Sequence, residues 1–159
     1  MTDDGVHLID FASQMKDLRK AKVLLLTCMD FRFFELIAEV MKDAGLAGRY
    51  DHVVLAGAAL GSVVRGKKHW HKTFFDHLEL AEKLHNIKAV IVLEHRDCGA
   101  YGPKGFGLLP DKPTREEERR VHFEQVAKLR KKIPPHLGFM ADLLEKLKKK
   151  DALTCDQLV

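Results

Sequence analysis

Residues 22–32 read KVLLLTCMDFR, and the character of the chain changes halfway along. Lys22 to Thr27 is a continuous apolar run, the pattern of a strand covered on both faces. Cys28, Asp30 and Arg32 follow at alternate positions, three chemically capable side chains directly after a buried strand. From Arg32 to Ala44, Phe33, Ile37, Val40 and Ala44 recur at helical spacing, with Glu35, Glu39, Lys42 and Asp43 opposite. Gly45 and Gly48 end that helix. A buried strand running into an amphipathic helix is half of a βαβ unit, and the fold follows from whether the unit repeats.

It does repeat. Residues 52–56, HVVLA, form a second strand closed by Gly57. Beyond a glycine-containing turn, residues 67–85 carry Trp70, Phe74, Leu78 and Ala81 on one helical stripe, which is a core-facing pattern. Residues 88–94, KAVIVLE, are a third strand. Three strands alternating with helices imply an α/β domain with a parallel sheet and right-handed crossovers. YGPKGFGLLPDKP, residues 101–113, is loop, since its three glycines and three prolines deny it regular structure. Thr114 to Glu117 reads as a capping box opening a helix that runs to Ile133, where Pro134-Pro135 stops it. A last amphipathic helix is expected around 137–149, grouping Met140, Leu143, Leu144 and Leu147. The tail, DALTCDQLV, carries no assignable pattern.

Composition sets the class. With 159 residues, 46% hydrophobic and 31% charged, the chain reads as one globular domain over 1–159. No apolar run approaches the ~20 residues of a membrane span. The acidic start, MTDDGVHLIDF, lacks the order of a secretory signal, so a cytoplasmic location is expected. A net charge of +4 is mild and no basic face for nucleic acid is evident. Lys148-Lys149-Lys150 reads as the solvated end of a helix. Three cysteines, an odd number without framework spacing, are expected to be reduced, with metal or reactive roles favoured over disulfides.

The third strand sharpens the functional question. VLEHRDCGAYG, residues 92–102, ends its apolar run at His95, with Cys98 three positions on. In doubly wound sheets, ligands collect beyond the carboxyl ends of strands where strand order reverses. In the common order 2-1-3 the tips of strands one and three lie about 5 Å apart. Cys28, His95 and Cys98 then converge as the soft and borderline donor set that zinc favours, leaving a fourth tetrahedral position open for chemistry. Asp30 can fill that position. Alternatively it can pair with the planar fork of Arg32 and orient a water instead. Gly99 lets backbone approach the site.

CMDFR together with HRDCG resembles the β-class carbonic anhydrases, whose zinc motifs are Cys-x-Asp-x-Arg and His-x-x-Cys. The resemblance covers about residues 22–102. It implies that Cys28, His95 and Cys98 bind Zn2+ and that Asp30 and Arg32 form the catalytic dyad. It further implies a sheet of four or five strands flanked by helices, and a homodimer or higher homo-oligomer with sites near the subunit interface. The implied activity is a lyase reaction, reversible hydration of carbon dioxide to bicarbonate. Carbonyl sulfide or carbon disulfide hydrolysis, or zinc binding without catalysis, are the alternatives. One departure stands out: where the family's second strand usually runs into Arg-Asn-Ala-Gly, this one runs into Leu55-Ala56-Gly57-Ala58-Ala59.

Other features have plainer readings. GSVVRGKK, residues 61–68, matches a phosphate-binding loop except that Lys68 replaces the magnesium-holding Ser or Thr, and a turn with a helix start explains its glycines. His69, His71, His77 and His85 crowd one helix but cannot share a face, so surface and packing roles are expected, with one of them available as a proton shuttle. Cys155 is expected to be inert.

Overall fold

The computed structural model describes residues 22–146 together with residues 153–157, the latter and Lys146 by backbone only. Five strands form one sheet: β1 (Val23–Thr27), β2 (Tyr50–Val54), β3 (Ala89–His95), β4 (Gly138–Lys146) and β5 (Leu153–Gln157). Their order is β2-β1-β3-β4-β5. The first four run parallel, and β5 returns antiparallel on β4. The strand reversal expected at β1 is therefore present, with β2 on one side of it and β3 on the other.

Side-chain alternation divides the core into two layers. Leu24 and Leu26 of β1, Val90 and Val92 of β3, and Ala141 and Leu143 of β4 face one way. They pack against Phe74, Leu78 and Ala81 of α3 (Lys68–His85) and Val121, Val126 and Leu129 of α4 (Arg115–Arg130). The short α2 (Ala59–Val63) lies on the same face. Val23 and Leu25, then Ala89, Ile91 and Leu93, then Met140 and Leu144 face the other way, against Phe33, Ile37 and Met41 of the segment ending in α1 (Phe34–Asp43). A sheet covered on both faces explains why its inner strands read as unbroken apolar runs.

The helix starts follow local chemistry. Thr114 caps α4 by the reciprocal arrangement the sequence predicts, its hydroxyl accepting from the Glu117 N–H while the Glu117 carboxylate accepts from the Thr114 N–H. Asp30 caps the 3-10 turn Phe31–Phe33 that leads into α1.

Three expectations need correction. Residues 138–146 are a strand, not part of a helix over 137–149. Met140, Leu143 and Leu144 satisfy helical spacing, yet β4 pairs along its whole parallel register with β3, from Ala89↔Gly138 to His95↔Leu144. It buries both faces, Ala141 and Asp142 included, so its apolar residues report two-sided cover rather than one stripe. The second strand lies at 50–54 instead of 52–56, because Gly57 closes a turn that already begins at Leu55. The helix expected to reach Ile133 stops at Arg130 and finishes in a tighter turn before Pro134. Readings of the N-terminal residues 1–21, of Lys148-Lys149-Lys150 and of the Cys155 side chain lie outside the described residues.

Candidate metal centre

The register places the tips of β1 and β3 side by side, Thr27 opposite Leu93. Cys28 is the residue just past β1, His95 is the last of β3, and Cys98 follows in the next turn. The Cys28 and Cys98 sulfurs are 3.8 Å apart. One ligand atom from each of Cys28, His95 and Cys98 lies within 4.8 Å of the other two, and all three residues are buried. Among the described residues no other group of histidines, cysteines and carboxylates converges in this way.

His95 is oriented as a ligand would be. Its Nδ1 lies 2.8 Å from the Arg96 carbonyl oxygen. A carbonyl only accepts, so Nδ1 carries the proton and Nε2 presents a lone pair. That Nε2 is buried and has no hydrogen-bond partner. Phe33 stacks on the ring with centroids 4.3 Å apart and fixes its plane. A buried imidazole nitrogen with an unused lone pair, facing two sulfurs, fits a thiophilic cation.

The electrostatics agree. The hydrogen bond shared with Cys98 holds Cys28 below an ordinary thiol, and the Gly57 N–H, 3.3 Å from the same sulfur, adds to the effect. Cys98 is pushed up, first by that shared proton and then by burial. Burial alone drives the His95 imidazole down, but the Cys28 sulfur, the Arg96 carbonyl and the Asp30 carboxylate together bring it above its usual value. The pocket attracts positive charge.

Asp30 and Arg32 form a tight pair beside it. Arg32 Nε lies 3.0 and 3.1 Å from the two carboxylate oxygens and Nη2 lies 2.6 Å from Oδ2. The Arg32 side chain lowers the Asp30 pKa to about 2, with its backbone N–H adding to the effect. The same oxygen, Oδ2, is 3.8 Å from His95 Nε2. Arg32 also reaches across to the turn after β3, donating to the Asp97 carboxylate and carbonyl at 2.9 Å each. Asp97 takes a left-handed φ of 55°, and its N–H is held by the Glu118 carboxylate.

The remaining sequence features fall elsewhere. Gly61 and Ser62 are buried within α2, Val64 is extended, and Gly66 lies in a 3-10 turn (Arg65–Lys67), so 61–68 is two short helical pieces leading into α3 and no phosphate cradle. Gly61 has a packing reason: a Cβ there would stand 2.6 Å from the Ala56 carbonyl oxygen. His71 bonds the Ser62 carbonyl, His77 the Thr73 carbonyl and His85 the Asp51 carboxylate, while His69 sits edge-on to Trp70. They do not form one cluster. Trp70 is only partly buried, unlike Phe74.

Sequence reading missed the support around the site. Gly57 contributes through its N–H and Arg96 through its carbonyl, neither of which a side-chain pattern reveals. Glu94, Tyr101 and His122 form a buried polar group behind β3. One signal was available: Glu94 is an acid inside KAVIVLE, a run otherwise fit for complete burial.

Comparison with known proteins agrees with the geometry. A protein of Rickettsia bellii (strain RML369-C) is 41% identical over 119 residues, 75% of this chain and 71% of its own length. A protein of Rickettsia conorii (strain ATCC VR-613 / Malish 7) is 41% identical over 87 residues, 55% of this chain and 47% of that one. Both are named only as uncharacterized. The crystal structure of the β-carbonic anhydrase CafA of the fungal pathogen Aspergillus fumigatus matches with a TM-score of 0.53 and 15% identity, covering 93% of this chain and 84% of that chain, which establishes likeness of fold. Residues 18–137 match the model of a family described as "Putative carbonic anhydrase". On that match, which takes in both strand tips and every residue of the Cys-His-Cys cluster, the chain belongs to this family, as a divergent member with a β-carbonic-anhydrase-like fold.

Proposed function

We propose that this protein is a zinc-dependent carbonic anhydrase that combines carbon dioxide with water to give bicarbonate and a proton. The observation that carries the reading is the position of the Asp30–Arg32 pair, whose carboxylate lies 3.8 Å from the free nitrogen of His95 in the Cys28–His95–Cys98 cluster. Cys28 Sγ, His95 Nε2 and Cys98 Sγ would hold the ion. Zinc when bound there supplies the Lewis acidity that makes water nucleophilic near neutral pH.

The chain's own residues do the rest. Asp30 stays ionised because Arg32 grips both of its oxygens, so it can accept a hydrogen bond from the attacking water and orient it. Its commitment to Arg32 supports this role over direct ligation. Arg32, fastened at the same time to Asp97, keeps the carboxylate from swinging away. A homodimer remains part of the proposal, supported by Met29, Phe31, Phe34 and Val54, which expose apolar surface close to the site, Phe31 at 84% exposure. Light scattering on the purified protein tests it. A cytoplasmic setting suits two free thiols, and subcellular fractionation tests that placement.

Stopped-flow hydration of carbon dioxide by zinc-loaded protein is the deciding measurement. Asp30→Asn should keep its zinc and lose roughly 10²-fold in kcat, the usual worth of a positioned proton acceptor. No hydration at full zinc loading between about pH 7 and 9, where such a site is expected to be active, overturns the reading. In that case turnover of carbonyl sulfide or carbon disulfide would identify a relative's chemistry, and turnover of none would leave a non-catalytic zinc protein.

A further inference from the structure

Glu94 is 1% exposed and no step of the proposed reaction uses it. Its side chain points to the face of β3 opposite His95, into the layer of Val90 and Val92. A carboxylate in such a place is costly unless its oxygens are satisfied. Here they are, by three donors from three separate segments. Oε1 accepts from the Ala59 N–H at 2.8 Å. Oε2 accepts from the Tyr101 hydroxyl at 3.1 Å and from His122 Nδ1 at 2.7 Å. Tyr101 and His122 are themselves completely buried, with rings 3.8 Å apart. None of these bonds reaches Cys28, His95 or Cys98.

The Ala59 bond connects the group to the metal centre. Gly57 and Ala58 end the turn that leads from β2 into α2, whose first residue is Ala59, and the backbone there is unusual: Gly57 has φ 75° and Ala58 has φ 45°, ψ −107°. An L-residue in that region persists only where its surroundings impose it. The turn is fixed from both sides. The Gly57 N–H lies 3.3 Å from Cys28 Sγ, and the Ala59 N–H is anchored on Glu94.

We infer that Glu94 is a positioning residue: by holding the Ala59 N–H at the start of α2 it fixes the strained turn at Gly57 and Ala58 and so aims the Gly57 N–H at the Cys28 sulfur before any metal arrives. The arrangement deepens the zinc-site reading and rests on it for its functional meaning. Groups that orient first ligands typically influence metal affinity 10–100-fold on removal.

Two experiments test this, and the first needs no variant. In metal-free wild-type protein, amide hydrogen exchange at Gly57 and Ala59 should already be slowed at least ~100-fold relative to an open turn, and metal should add little. Free exchange at both amides in the metal-free protein overturns the proposal. The second uses Co2+ as a spectroscopic probe. Glu94→Leu should bind Co2+ ~10–100-fold more weakly, with its thiolate charge-transfer bands displaced. Glu94→Gln, which keeps an acceptor for Ala59, should restore both. Tyr101→Phe, which leaves the Ala59 bond intact, should resemble wild type. A folded Glu94→Leu with wild-type affinity and bands overturns the proposal, as does a Glu94→Gln no better than Glu94→Leu. If Glu94→Leu does not fold, the exchange result and the Glu94→Gln and Tyr101→Phe spectra decide. Failure of the metal-site reading is a separate result: wild-type protein would then bind no Co2+, while the exchange experiment would still report on the turn.

Discussion

At the scale of single residues, the site is a set of opposed demands settled by hydrogen bonds. His95 needs its Nδ1 proton satisfied so that Nε2 is free, and the carbonyl of the next residue does this. Asp30 must stay an anion beside two sulfurs, and the Arg32 guanidinium holds it at about 2. Asp30 is therefore ionised throughout the neutral range, and its contribution to stability, complete above its ordinary 3.8, disappears as pH falls through about 2. Arg32→Ala should return Asp30 towards 3.8, which carbon-13 titration of the side-chain carboxyl can follow. A value still near 2 would show that Arg32 is not the cause. Replacing one ligand is a separate matter. Cys98→Ser should leave purified protein with less than about a tenth of the wild-type zinc, because two protein donors hold zinc poorly. Stoichiometric zinc in that variant, by plasma mass spectrometry, would exclude Cys98 from the donor set.

Secondary-structure elements show where sequence is informative and where it fails. The capping box at Thr114 was legible because its chemistry is local: one hydroxyl, one carboxylate and two amides within four residues. Thr114→Ala should destabilise the protein by about 1 kcal/mol in urea unfolding, and no change would mean the start of α4 is held by its packing instead. Strands β1 and β3 were legible for a related reason, since two-sided burial leaves an unbroken apolar run and a polar residue marks where it ends. β4 was not. Met140, Leu143 and Leu144 stand at spacings that suit a helix, and only the partner β3 shows that Met140 and Leu144 belong to one layer while Leu143 belongs to the other. β5 depends on β4 in turn, and its short mixed sequence LTCDQ has no period of its own. The candidate ligands were readable because each sits at a strand tip. The Gly57 N–H and the Arg96 carbonyl were not, because backbone groups do not depend on the side chain they carry.

For the whole molecule, the metal centre joins pieces of chain that are distant in sequence. Cys28 follows β1, while His95 and Cys98 belong to the end of β3 and the turn after it, and Arg32 already bridges the same gap to Asp97. The unfolded chain has no such arrangement, so a metal held at all three residues binds the native state almost exclusively, and its binding energy adds to folding stability. The stabilisation grows with free metal, to about 2.7 kcal/mol at a hundred times the dissociation constant and about 4.1 kcal/mol at a thousand times. Thermal melts across a buffered zinc series should therefore move upward steadily, return to the lowest midpoint with excess chelator, and recover when zinc is restored. Cys28→Ser should flatten that dependence while leaving the metal-free midpoint near the wild-type one, since it alters a single atom of a small polarisable side chain. A wild-type midpoint indifferent to zinc would mean that the two strand tips are held together by the sheet and the Arg32–Asp97 contact alone, and that the cluster of Cys28, His95 and Cys98 takes no metal.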